Sequence, residues 1–174
     1  YNDLYNRGSR TLFNIFYVDR PRPFGQAARG PSEARTRLAV VEDAGLYVAL
    51  RGANLEDMYR GQGRLHREVE AWTRDVVYLR PQVFVLHDRT QVRAADADQW
   101  QALHFPRAPV AVPGAPQTRR FEVGQGERYV GTVTTVLPRG NQVRLVDLFN
   151  RGKVTRLEVR PGTPGERQRW LTVL

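Results

Sequence analysis

The sequence predicts an all-β fold: a two-sheet antiparallel β-sandwich of about eleven to twelve strands. Three observations predict it. Short apolar runs alternate with period two, as half-buried strands do. Clusters of Gly, Pro, Asn and Asp punctuate these runs at the roughly 8–12-residue spacing of sandwich proteins. No stretch of about twelve residues keeps the 3.6-residue period of a helix. Neither side of the proline-rich stretch Pro106–Pro116 holds a complete sheet, so residues 1–174 are expected to form a single β-sandwich domain.

The elements follow in order. Thr11 to Val18 is an aromatic-rich apolar run with strong strand character. It gives way at Asp19 to a polar loop reaching Ser32, with three prolines and two glycines. Arg37–Glu42 and Leu46–Arg51 flank Asp43-Ala44-Gly45, the signature of a hairpin turn. Asn54 to Gly63 is polar, with room for one helical turn. From His66 to Trp72 the residues alternate, setting His66, Glu68 and Glu70 opposite Val69 and Ala71. Asp75–Leu79, the turn Arg80-Pro81-Gln82 and Val83–Arg89 form a second hairpin. In Gln99–Phe105, Trp100, Ala102 and His104 share one face. Pro106–Pro116, with four prolines, is a connection or an edge. Arg120–Val123, Tyr129–Leu137, Val143–Leu148, Val154–Val159 and Trp170–Val173 complete the set.

Composition narrows the function. The chain carries 27 Lys+Arg against 18 Asp+Glu, a net charge of +9, and Lys153 is its one lysine. Such a surface attracts polyanions: nucleic acid, acidic lipid or acidic polysaccharide. The arginines are dispersed rather than gathered on one arm, so most read as salt-paired surface residues. Arg119-Arg120-Phe121 and Arg167-Gln168-Arg169-Trp170 are weak candidates for a nucleic-acid platform, and nucleic acid is not the expected partner. Zero cysteines exclude disulfides, thiolate catalysis and Cys-ligated metals. No apolar run approaches the roughly 18 residues of a membrane helix, so no membrane partner is expected.

Motifs of catalysis are sparse. Ser9 and Ser32 are the only serines, neither in a Gly-x-Ser-x-Gly elbow. Gly124-Gln125-Gly126 reads as a turn rather than a phosphate loop. His66, His87 and His104 form no HxH or HxxxH pair, so no metal site and no cofactor are expected. His87, beside Asp88 at a strand end, reads as half-buried and bonded to backbone. Glu68 and Glu70 point the same way about 7 Å apart, a spacing open to glycosidase acids and better explained as a charged solvent face.

A larger pattern carries a resemblance. A strand ending in Trp72, then Arg74-Asp75-Val76-Val77-Tyr78-Leu79-Arg80-Pro81, then Val83-Phe84-Val85-Leu86-His87-Asp88-Arg89, and a strand with Trp100 and Leu103-His104-Phe105, resembles the β-sandwich of the heparinase II/III-like polysaccharide lyases. The pattern covers residues 5 to 105. The resemblance implies a fragment of a larger exported or periplasmic bacterial enzyme, with a helical domain upstream and the active cleft between the two parts. It implies β-elimination on an acidic, uronate-containing glycan such as a glycosaminoglycan or alginate. Where the family has a leading His-Asn, this chain has Ser9-Arg10, so a histidine that ligates zinc in some members is missing and no catalytic set transfers. The expected substrate contacts are Tyr5, Asn6, Arg7, Arg10 and His104, with the domain inactive by itself. A non-catalytic carbohydrate-binding or structural sandwich module is the alternative.

Overall fold

Among the described residues twelve strands run β1 (Phe16–Asp19), β2 (Arg37–Asp43), β3 (Tyr47–Ala53), β4 (Val69–Leu79), β5 (Val83–Val92), β6 (Asp98–Phe105), β7 (Val110–Val112), β8 (Arg119–Gly124), β9 (Val130–Leu137), β10 (Gln142–Asp147), β11 (Thr155–Arg160) and β12 (Arg167–Val173). The computed structural model describes residues 16–19, 37–56, 69–105, 107–113, 119–124, 130–147 and 154–174. Among the described residues there is no α-helix, only a short 3-10 turn at 55–56 where the sequence has room for one helical turn. No helix there is long and apolar enough to cross a membrane.

The strands form two antiparallel sheets. The larger has the order β2-β3-β4-β5-β12-β9-β8-β7 and the smaller β1-β6-β11-β10. Two meanders, β2 to β5 and β7 to β9, supply most of the large sheet, and β12 fills the gap between them. Among its described residues the proline-rich stretch holds β7, three residues on the sheet's edge, where a missing N–H does least harm.

Alternation sets which residues enter the core. From the large sheet, Trp72, Val92, Phe121, Val133 and Trp170 point inward; Leu103, Leu157 and Val159 meet them from the small sheet. The centre is not wholly apolar. Asp88 is fully buried and accepts from Trp72 Nε1 (3.0 Å), Arg74 Nε (2.7 Å), Arg74 Nη2 (2.7 Å) and Gln101 Nε2 (2.7 Å). Thr172 Oγ1 donates to Gln101 Oε1 at 2.9 Å. Asp88 and Thr172 belong to the large sheet and Gln101 to the small one, so one buried glutamine fastens the two layers. Every acceptor of this network has a donor, which is what makes a buried carboxylate tolerable.

The β4–β5 register explains the Arg-Asp and His-Asp-Arg pattern of the sequence. Arg74 lies opposite Asp88, and Asp75 opposite His87. Opposed residues share a face, so the first pair enters the core and the second faces out. His87 therefore sits within β5 and not at a strand end. It is half-buried as expected, but its neighbour is a side chain: Nδ1 lies 3.8 Å from Asp75 Oδ2.

Candidate functional site

His104 leads to the outer face of the small sheet. Gln99, Gln101 and Leu103 of β6 are buried toward the core, which turns Trp100, Ala102 and His104 to the opposite face, grouped as the sequence groups them. In β11, Leu157 and Val159 point inward, so Arg156, Glu158 and Arg160 share the outer face. The register joins the two sets, with His104 opposite Arg156 and Ala102 opposite Glu158. On the far side, Arg144 of β10 lies opposite Glu158.

This face is dense with charge and well shielded at its centre. Glu158 is 2% exposed and accepts from Arg156 Nη2 at 2.5 Å and Arg160 Nη2 at 3.1 Å. Arg160 also binds Asp98, and its guanidinium lies 4.6 Å over the Trp100 ring. Burial works against the charge on Arg160, but the bonds to Asp98 and Glu158 outweigh it and raise its pKa. Trp100 and Ala102 are buried apart from the main core. Ala102, fully buried, lies directly opposite Glu158. Arg144 is exposed at the rim of the cluster, and His104 is half-buried.

Chemically, the arrangement is one of recognition. Arg156 and Arg160 are paired with Glu158 and Asp98, and the exposed Arg144 beside them is the group placed to meet a carboxylate or sulfate. Among the described residues no three His, Cys, Asp or Glu side chains are close enough together to hold a metal. Of the expected substrate contacts, Tyr5, Asn6, Arg7 and Arg10 lie outside the described residues, as does His66. The partners of His104 were not legible because β6 and β11 are far apart in sequence, and only their pairing brings Arg156, Glu158 and Arg160 beside it.

No family model and no curated sequence matches the chain. Solved structures do. A heparinase III gene product matches 92% of this chain with a TM-score of 0.62 at 12% identity, and the match takes in 23% of that protein. The fold is one that heparinase III contains. A mutant of the heparan sulfate lyase HepC from Pedobacter heparinus matches over 94% of this chain and 24% of its own, with a TM-score of 0.52 at 11% identity. The chain thus spans about a quarter of the length of these lyases. At such identities the likeness is one of fold, and the outer-face cluster is argued from this chain's own residues.

Proposed function

We propose that this chain is the β-sandwich part of a heparinase II/III-like polysaccharide lyase that cleaves an acidic, uronate-containing glycan by β-elimination. The observation that carries the reading is the fold match to a heparinase III over 92% of the chain. The net charge of +9 and the Arg144–Arg156–Arg160 edge support an anionic substrate. In this reading the sandwich forms one wall of a cleft, and a helical domain elsewhere in the same exported or periplasmic protein forms the other. Tyr5, Asn6, Arg7, Arg10 and His104 contact the glycan. The sandwich neutralises the uronate carboxylate, which stabilises the carbanion formed when a base removes the adjacent proton.

The test uses the whole protein that carries this chain, incubated with heparan sulfate, alginate and, as a neutral control, dextran. A lyase converts a uronate glycan to an unsaturated product that absorbs in the ultraviolet. The expected result is a rise in absorbance with at least one acidic glycan and none with dextran. Binding of an acidic glycan with no absorbance change would instead assign a non-catalytic carbohydrate-binding module.

A further inference from the structure

The opposite outer face of the sandwich carries a second cationic track. Alternation along β3, β4, β5 and β12 sets Arg51, Asp75, His87, Arg89, Arg167 and Arg169 on the outside of the large sheet, and the register aligns them across strands. Arg51 pairs with Asp75, Asp75 with His87, and Arg89 with Arg169. Asp75 is shared: Arg51 Nε lies 2.5 Å from Oδ1 and Arg89 Nη2 lies 2.8 Å from Oδ2. Asp75 therefore holds two guanidinium groups, while Arg167 Nε donates to Gln91 Oε1 (3.2 Å) and Gln91 Nε2 to Glu70 Oε2 (2.7 Å) at the other end of the face.

Two features do not fit a surface arranged for stability alone. Arg89 and Arg169 stand directly opposite each other in adjacent strands, where like charges repel and destabilise the pair. Arg169 is exposed and makes no hydrogen bond or salt bridge among the described residues, and Arg89 Nε is buried without a partner. Asp75 is already occupied by Arg51 and Arg89, which leaves the exposed Arg169 open to an external anion.

The geometry also indicates what kind of anion fits. Neighbouring strands lie about 4.8 Å apart, and alternate residues of one strand about 6.8 Å apart, so the track offers cations at repeated short intervals on an open sheet. A glycan with an acidic group on each sugar repeats its charge on that scale. Single-stranded nucleic acid needs aromatic platforms for its bases. The aromatic residue beside Arg169 is Trp170, which is fully buried in the core and turned away from this face.

We propose that the Arg51–Arg89–Arg169–Arg167 face of the large sheet is an acidic-glycan-binding track, on the opposite side of the sandwich from the His104 cluster. The kind of ligand rests on the acidic-glycan reading above; the site itself rests on the register and ion pairing of this face. It would hold a second stretch of the same polymer or keep the protein on a polyanionic matrix.

The experiment maps arginine modification in the whole protein that carries this chain. It is treated with phenylglyoxal with and without a heparin-derived hexasaccharide, and modification of each arginine is read by mass spectrometry. Strong slowing at Arg169, with little change at the exposed turn residue Arg139, is expected. Arg169→Glu should weaken hexasaccharide binding about fivefold beyond the charge-matched control Arg139→Glu, as loss of a charge-assisted contact would. Arg169→Gln serves if the Glu variant does not fold. Equal effects at the two positions, no protection of Arg169, or stronger protection by a single-stranded DNA of equal charge would each overturn the proposal. Lyase activity is scored separately. Glycan cleavage without Arg169 protection sinks this track and leaves the lyase reading standing; protection without cleavage does the reverse.

Discussion

At the scale of single residues, Asp88 and His87 show how one step along a strand changes the chemistry. Asp88 faces inward, fully buried, as the counter-charge of Arg74, whose side chain is 15% exposed. Replacing Asp88 by Asn keeps the shape and removes the charge, stranding the guanidinium inside the sandwich. Breaking a buried pair in this way costs about 3–5 kcal/mol, so the urea midpoint of Asp88→Asn should fall sharply with little change in slope. His87 faces outward. Burial first, then Arg89, hold its pKa below the ordinary 6.5; Asp75 opposes, Arg169 adds to the lowering and Asp88 opposes again. The folded chain thus takes up this proton less readily than the unfolded chain. Its contribution to stability is complete above about pH 6.5 and declines as the pH falls below that value. In urea titrations across this range, the stability of the native sequence relative to His87→Gln should be flat above about pH 6.5 and fall below it.

At the scale of elements, the strands were legible because each is a short period-two run between turn residues. The β4–β5 hairpin around Arg80-Pro81-Gln82 lies where the pattern puts it, and so does the turn at Asp43-Ala44-Gly45. There Gly45 has φ +75° and donates its N–H to Asp43 Oδ1 at 3.1 Å. The buried amides of β6 were not legible: Gln99 and Gln101 alternate with Trp100 and His104 in a way that does not say which set faces in. Apolarity alone would have turned Trp100 inward with the core. The structure turns it outward under Arg160 and uses the inward positions for hydrogen bonds, Gln99 to the Gly165 carbonyl and Gln101 to Asp88 and Thr172 of the other sheet. Contacts between turns were equally hidden. A Cβ on Gly162, in the β11–β12 connection, would overlap the carbonyl oxygen of Gly140 in the β9–β10 turn, whereas one on Gly45 would meet nothing within 4 Å. Gly162→Ala should therefore cost about 1–3 kcal/mol through overpacking. Gly45→Ala should cost about 1 kcal/mol through backbone conformation alone, and thermal melts of the two variants separate the mechanisms.

At the scale of the molecule, the two layers are unequal. Eight strands face four, so the β2–β3 end of the large sheet carries exposed apolar residues, Leu38, Val40, Val41 and Leu46 among them, while the core lies under the other strands. The sequence disclosed the class of fold and the excess of positive charge. It did not disclose that the charge divides between two opposite faces, because that depends on a strand order in which β11 lies beside β6 and β12 beside β5.

That order also governs assembly. β12 follows the other eleven described strands in sequence, yet it lies at the middle of the large sheet, between β5 and β9. Until it is made, the β2–β5 meander and the β7–β9 meander each end in an unpaired edge, the kind of surface that recruits foreign strands. During synthesis both edges wait for the residues from Arg167 onward, and the first eleven strands cannot close the sheet by themselves. The pairing is non-local, which slows folding of β proteins. Newly made chains therefore depend most on protection from aggregation just before this one strand emerges, and a product truncated ahead of it would be a sticky pair of half-sheets rather than a smaller sandwich.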